Sequence, residues 1–298
     1  MPVTLRSCAG PADYPAISDF LYTLYQPDAR DGNWFQPIWE YAYTHAGFDE
    51  SAVAHNGLWE DDGQIVAAAL YESRLGEAFF QVHPAHTRLK PDMLTYAEEH
   101  LAGTADDGRR YLRAYINDWD TPFADLARAR GYAPDLDWDR PMTQFVIPRP
   151  FPAIRLPEGY RVQSLADDND LKKVDRALHR GFNHPGEPPA DGIAGRIKMQ
   201  SGPHYRLDLT MVVVAPDGQF VSFAGLWFES VNRFGYVEPV ATDPDYRRMG
   251  LGTAAVMEGV RRCGELGADV AYVGSTQLFY QSMGFREVAR QNCWLKYL

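Results

Sequence analysis

The heptapeptide Arg247-Arg248-Met249-Gly250-Leu251-Gly252-Thr253 decides how this 298-residue chain is read, because of what flanks it. Upstream, Phe234-Gly235-Tyr236-Val237-Glu238-Pro239-Val240-Ala241-Thr242 reads as a β-strand, and Asp243-Pro244-Asp245-Tyr246 as a turn. Downstream, apolar residues at Val256, Val260 and Cys263 recur at helical spacing, with Gly267 as the stop. A strand, a basic glycine turn and a helix start together predict an anion cradle. Glycines let backbone amides approach phosphate oxygens, and the free N–H groups and dipole of a first helical turn favour negative charge.

Two common phosphate sites are excluded. Gly250-Leu251-Gly252-Thr253-Ala254-Ala255 satisfies the loose dinucleotide pattern G-x-G-x-x-A. That fingerprint opens a βαβ unit with an acidic residue about 20 positions on. Asp269 stands near that distance but precedes the apolar run Val270-Ala271-Tyr272-Val273 instead of ending it. Only 46 residues follow Gly252, too few for a doubly wound sheet. A Walker-type loop is ruled out because no Gly-Lys-Ser/Thr occurs.

The segment resembles motif A of the GNAT acyltransferases, Gln/Arg-x-x-Gly-x-Gly/Ala at a helix start, here Arg247-x-x-Gly250-x-Gly252. Gln277-Leu278-Phe279-Tyr280-Gln281-Ser282-Met283-Gly284-Phe285 resembles that family's late helix and turn, a Tyr followed after three residues by Gly-Phe. The two motifs come in family order with one predicted strand between them. Weaker agreement in strand order extends from Tyr160 onward. The resemblance implies a pocket for the pyrophosphate and pantetheine of acetyl-CoA as co-substrate.

Composition bounds the rest. Hydrophobic content of 45% and charged content of 23% suit a globular chain with a sizeable core. No apolar stretch approaches the ~20 residues of a membrane span, and Met1-Pro2-Val3-Thr4-Leu5-Arg6 lacks a secretory apolar region. Cys8, Cys263 and Cys293 are odd in number and far apart, against a disulfide framework or a Cys-x-x-Cys metal site. A cytoplasmic protein without metal or membrane partner is expected. The net charge of −11 disfavours nucleic acid and favours a cationic, amine-bearing small molecule.

The chain also repeats itself. Asp62-Gly63-Gln64-Ile65-Val66 echoes Asp217-Gly218-Gln219-Phe220-Val221, each a hairpin turn running into a strand. His83-Pro84 sits where the later copy has Asp243-Pro244, and Gly131-Tyr132 parallels Gly284-Phe285. The expected fold is α/β (α+β), two GNAT-like units, each a central mixed, mostly antiparallel sheet flanked by helices. Residues 1–150 form one unit and 155–298 the other, with the proline-rich Pro148-Arg149-Pro150-Phe151-Pro152 between. In the first copy the phosphate turn becomes Thr87-Arg88-Leu89-Lys90-Pro91-Asp92, without glycine and with a proline lacking an amide donor. Ala127 takes the place of Tyr280. This copy is expected to bind no CoA and to act as scaffold, cleft wall or dimer surface, so a homodimer is one arrangement it would serve. Tandem GNAT proteins, including the mycothiol synthase type, show a similar division.

In the second copy, Glu238 is the candidate general base. A protonated alkylamine is a poor nucleophile, and reaching its neutral form at pH 7 costs roughly 4–5 kcal/mol. Strand alternation puts Glu238, Val240 and Thr242 on one face, and several GNAT enzymes carry a glutamate at this position. The alternative is a structural strand glutamate. By resemblance, Tyr280 protonates the departing CoA thiolate, or packs beside Phe279 and bonds the sulfur. Pantetheine is expected along the backbone of Val240, Ala241 and Thr242, adding like an extra strand. Amides of Met249, Gly250, Leu251, Gly252 and Thr253 are expected at the pyrophosphate. Arg247 or Arg248 adds charge, unless each is ordinary solvated surface. Val273-Gly274-Ser275-Thr276 stands where the family has an asparagine, so Ser275 or Thr276 would donate instead. Pro239 cannot donate to a ladder and suits a bulge or splay.

The resemblance implies that the early helix–loop–helix covers the acceptor site, so Asn183 and His184, in its polar proline-rich loop, are acceptor-contact candidates with Trp227, exposed loop residues being the alternative for the first two. The aromatic run over residues 31–43 reads as packing more than as a cleft lining. His83-Pro84-Ala85-His86 lacks the further ligands a metal needs. Three activities compete: an acetyl-CoA-dependent N-acetyltransferase acting on a small primary amine by direct attack; a non-catalytic acyl-CoA-binding or regulatory protein; and an aminoacyl-tRNA-dependent transferase. The acidic balance and the intact turn disfavour the last.

Overall fold

Asp62 and Gly63 both take positive φ, 50° and 74°, which a two-residue hairpin loop demands where Asp61 pairs with Gln64. The corresponding hairpin of the second half turns at Gly218, φ 82°. These turns open two sheets of the same plan in the computed structural model, which describes residues 2–26 and 34–298. The chain folds into two compact units, unit 1 (residues 1–43, 47–142 and 287–298) and unit 2 (44–46 and 143–286).

In chain order the elements of unit 1 are β1 (Thr4–Ser7), α1 (Tyr14–Leu24), α2 (Gln36–Thr44), β2 (Gly57–Asp61), β3 (Gln64–Leu70), β4 (Glu77–Val82) and α3 (Lys90–His100). They continue with β5 (Gly103–Thr104), β6 (Arg110–Asn117), α4 (Thr121–Ala129) and β7 (Ala133–Pro134). Strand β8 (Arg140–Val146) leads into unit 2, which holds β9 (Arg161–Ser164), α5 (Leu171–Gly181), α6 (Gly192–Met199), β10 (Met211–Val214) and β11 (Phe220–Glu229). It ends with β12 (Phe234–Thr242), α7 (Leu251–Glu265), β13 (Val270–Val273) and α8 (Leu278–Met283); the last strand is β14 (Arg286–Tyr297).

The sheet of unit 1 runs β1-β2-β3-β4-β6-β14, with β5 against β6 and β7 against β14; that of unit 2 runs β8-β13-β12-β11-β10-β9. In each, one central pair is parallel, β4 with β6 and β12 with β13, and the other pairs are antiparallel. The mixed, mostly antiparallel sheet expected from the sequence is therefore present twice.

The boundaries differ from the 1–150 and 155–298 division. Thr143 to Val146 pair with Val273 to Val270, inside unit 2. Gln291 to Tyr297 pair with Asn117 to Tyr111, inside unit 1. Each sheet is closed by a strand from the other half of the sequence. Proline-rich composition marks a bend at 148–152, but ladder hydrogen bonds decide which sheet a strand joins.

Helix α7 is the core element of unit 2. Its Ala255, Val256, Val260 and Cys263 are buried with Val213, Leu226, Val237 and Ala271. The helix lies close to the sheet because small residues face it: a Cβ on Gly259 would come within 2.1 Å of Leu226, and one on Gly235 within 3.3 Å of Cys263. Its outer side carries Glu258, paired with both Arg261 and Arg262. All three cysteines are free and buried. Among the described residues no helix is long and apolar enough to cross a membrane. Of the aromatic run, residues 31–33 lie outside the described part; Trp34, Phe35 and Trp39 are buried in unit 1.

Candidate active site

β12 and β11 lie in register from Thr242 opposite Ser222 to Val240 opposite Ala224, and again from Val237 opposite Leu226. Between these stretches the register shifts, and Gly225 faces the extra residues Glu238 and Pro239. A Cβ on Gly225 would fall 2.5 Å from the Glu238 carbonyl oxygen, so only glycine allows this approach. On its other edge β12 pairs with β13 only through Phe234, Gly235 and Tyr236. Beyond Tyr236 the two strands part, which leaves one edge of Val240 to Thr242 outside that ladder. The bulge expected at Pro239 is present.

Alternation survives the bulge: Glu238, Val240 and Thr242 are half-buried while Val237, Pro239 and Ala241 are buried. Two aromatic side chains fix Glu238. The Tyr236 hydroxyl donates to its Oε2 at 2.7 Å, and the Trp227 indole N–H donates to its carbonyl at 2.9 Å. Trp227 is buried, with its ring edge-on to Tyr205 at 5.7 Å. It therefore meets the site through the strand backbone.

The turn after β12 is held from below. Asp243, fully buried, caps the following 3₁₀ turn at the amide of Asp245, 3.1 Å away. It accepts from Arg180 Nε and Nη2 at 2.5 and 2.9 Å, with Arg176 at 3.5 Å. Burial pushes the Asp243 carboxyl up, but the hydrogen bonds from Arg180 and Asp245 and the two arginine charges outweigh this and hold it below the usual carboxylate range. Arg180 also reaches Asp245 at 2.6 Å. Arg247 completes the clamp, donating to the carbonyls of Thr242 (3.0 Å) and Gly181 (2.9 Å) and to Asn183 Oδ1 (2.8 Å). The end of α5 is thereby tied to the turn. Gly181 permits the contact, since a Cβ there would lie 2.6 Å from Ala241 Cβ.

The turn itself alternates in handedness. Arg248 and Gly250 take φ of +64° and +80°, on either side of Met249. Gly250 is the N-cap of α7 and no side chain caps the helix. The first bond closed is from the Ala254 amide to the Gly250 carbonyl, 3.0 Å, so the amides of Leu251, Gly252 and Thr253 precede the i−4 ladder. Leu251 and Gly252 are buried, and Met249 and Gly250 are exposed. A Cβ on Gly252 would meet Thr242 Oγ1 at 2.9 Å and Phe279 at 3.2 Å. The end of β12, the start of α7 and α8 thus converge at one point.

Tyr280 lies on α8, buried, with its ring 4.9 Å from that of Phe279 and 5.9 Å from that of Phe285. Burial raises its hydroxyl well above the ordinary value, and the charge of Glu238 adds to this. The phenol stays protonated. The Ser275 hydroxyl accepts from the Gln277 amide at 3.2 Å at the head of α8, and its carbonyl accepts from Thr143 at 3.0 Å. Asn183 (φ 60°) and His184 are exposed beyond α5, the His184 ring 5.2 Å from that of His179.

Sequence reasoning missed Tyr236, Gly225 and Gly181. A period-2 count would have put Tyr236 beside Glu238; the glycine contacts arise between segments apart in sequence and leave no local pattern.

In unit 1 the equivalent helix α3 starts at Lys90 with Pro91 in its first turn. The Lys90 ammonium pairs with Asp120 and sits 5.6 Å from the rings of Trp119 and Phe123.

Fold and site together are similar to those of GNAT proteins, with two units on one plan. Residues 178–285 match the acetyltransferase (GNAT) family. A GCN5-related N-acetyltransferase from Sphaerobacter thermophilus superposes with a TM-score of 0.67 at 19% identity, over 99% of this chain and 95% of that one. A tandem GNAT protein from the clavulanic acid biosynthesis pathway gives 0.62 at 13% identity, over 99% and 98%. Saccharomyces cerevisiae N-myristoyltransferase with bound myristoyl-CoA gives 0.54 at 13%, over 100% and 80%. No curated protein sequence matches the chain. The family match thus falls within unit 2, and the fold of the whole chain is similar to that of the tandem GNAT protein.

Proposed function

We propose that unit 2 is an acetyl-CoA-dependent N-acetyltransferase that acts on the primary amine of a small molecule by direct attack. One observation carries the reading: the uncapped first turn of α7 opens beside both the splayed edge of β12 and the buried Tyr280. Amides from Met249 to Thr253 hold the pyrophosphate, with Arg248 supplying charge; Arg247 instead positions the turn through its three bonds. Pantetheine lies along Val240 to Thr242, and Ser275 flanks it.

Glu238 takes the proton of the acceptor ammonium. The neutral nitrogen attacks the thioester carbonyl, and collapse of the tetrahedral adduct breaks the C–S bond. The departing sulfur takes the proton of Tyr280, which the raised hydroxyl retains until that moment, and the excess proton on the amide nitrogen passes to the tyrosinate. An amide and free CoA leave. Asn183 and His184 are the acceptor contacts, and Trp227 acts through the Glu238 carbonyl. Unit 1 binds no CoA, since Pro91 and the Lys90–Asp120 pair occupy its corresponding turn. The reaction draws on the cytoplasmic acyl-CoA pool.

Free CoA release is to be followed across a library of primary amines. Glu238→Gln and Tyr280→Phe should each lower turnover at least about tenfold while thermal stabilisation by acetyl-CoA is kept. That stabilisation is about 2.7 kcal/mol at 100-fold excess over Kd. Binding without turnover of any amine would favour the non-catalytic reading.

A further inference from the structure

Unit 1 carries a cavity of about 280 Å³ beside the ladder of β6 and β14. In that ladder Tyr111 lies opposite Tyr297 and Arg113 opposite Leu295, so these four side chains leave one face of the sheet, and all four line the cavity. The loops before β4 and after β5 supply the remaining walls, among them Leu75 and Asp106. Backbone contacts fix both loops. The Gly76 amide donates to the Leu101 carbonyl at 2.7 Å, and the Arg113 amide to the Gly76 carbonyl at 2.9 Å. A Cβ on Gly103 would lie 2.6 Å from the Leu75 carbonyl oxygen, and one on Gly76 would lie 2.6 Å from the Tyr111 ring. The volume is close to the ~300 Å³ at the lower end of small-molecule sites.

The charges around the cavity are of two kinds. Arg113 is fixed: its Nε donates to Asp135 at 3.0 Å, and its guanidinium lies 4.2 Å from the ring of Trp138 and 5.4 Å from that of Tyr111. These contacts hold the fork in one orientation and leave both Nη groups without an acceptor among the described residues. Arg109, which lies 3.8 Å over the Tyr297 ring, is committed to Asp107 at 2.8 Å. Arg74 and Asp106 are the uncommitted charges. Both line the cavity, and neither makes a hydrogen bond or ion pair among the described residues; the charge of Arg74 reaches Glu77 only through space. Two opposite charges that open onto one cavity without pairing are matched by a ligand carrying both. A carboxylate suits the planar Arg113 fork, an ammonium suits Asp106, and Leu75, Leu295 and the two tyrosine rings offer apolar surface to a side chain.

We infer that unit 1 binds a free α-amino acid with an apolar side chain, its carboxylate on Arg113 and Arg74 and its ammonium on Asp106. The inference rests on unit 1 alone and is independent of acyl transfer in unit 2. It gives the copy without a phosphate turn a binding role of its own.

The test is calorimetric titration of the full chain with L-leucine and L-phenylalanine. For leucine, 4-methylpentanoate and 3-methylbutylamine keep the side chain and one charge each. Saturable heat is expected with at least one of the amino acids, and binding of either single-charge analogue should be about tenfold weaker or more. Asp106→Asn, at an exposed position, and Arg113→Lys, which keeps the charge but not the fork, should each weaken binding about tenfold. Circular dichroism checks that both variants fold. Glu238→Gln should leave the heat intact, which separates this site from the acceptor site proposed for unit 2. No saturable heat with either amino acid by about 10 mM overturns the inference. So does a single-charge analogue that binds as tightly as leucine, full binding in either unit 1 variant, or loss of binding in Glu238→Gln.

Discussion

Asp243 is a carboxylate with no solvent exposure, held by two arginines of α5. Removing one partner of such a pair leaves the other charge poorly solvated, so Asp243→Ala should cost about 2–3 kcal/mol in chemical unfolding. The pH dependence follows from the lowered carboxyl. A group whose folded value is depressed stabilises above its unfolded value near ~3.9 and loses that contribution as pH falls toward the folded one. The wild-type chain should therefore lose stability faster than Asp243→Ala in the acid range below about pH 4, read from denaturant midpoints. At Tyr280 the raised hydroxyl predicts no alkaline limb in kcat/KM below about pH 10 from this group. A limb near pH 8 that vanishes in Tyr280→Phe would contradict it.

Among the elements, α7 offers a clean separation of glycine roles. Gly250 has φ of +80° and nothing within 4 Å of a Cβ, so Gly250→Ala meets only backbone strain, about 1–2 kcal/mol. Gly252 has ordinary helical geometry, but its Cβ would press on Thr242 and Phe279. Gly252→Val should move the end of β12 against α8 and weaken acetyl-CoA binding about tenfold, more than it lowers stability. Gly259 is neither at a turn nor at the site; Gly259→Leu would collide with Leu226 and should destabilise by about 1–3 kcal/mol. Calorimetry for binding and thermal unfolding for stability would rank these three variants differently.

For the whole molecule, the closing strands matter most. A chain cut after residue 150 lacks β14, whose ladder from Gln291 to Tyr297 completes the sheet of unit 1. A chain starting at residue 155 lacks β8, which pairs with β13 beside the site. Neither piece should give a cooperative thermal transition alone, because each exposes an unpaired edge over buried apolar residues. Mixed in solution, the two pieces should regain the transition; folding of either piece by itself would contradict the exchange of strands.

Much of unit 2 was legible in order of sequence. The strand Phe234–Thr242, the stop at Gly267 and the strand Val270–Val273 appear as read, because each depends on neighbours along the chain: period-2 alternation, helical spacing and a left-handed glycine. The bulge at Pro239 was legible too, since proline has no amide to give. What the sequence could not state is partnership. Arg247, read either as a charge near the phosphate or as solvated surface, donates to two backbone carbonyls and one side-chain oxygen. Trp227, read as a substrate contact, holds the Glu238 carbonyl from inside the core. The two terminal strands of the halves trade sheets. Local periodicity reports which residues face inward; it carries no term for which distant strand or carbonyl they will meet, and only packing of the folded chain makes that choice.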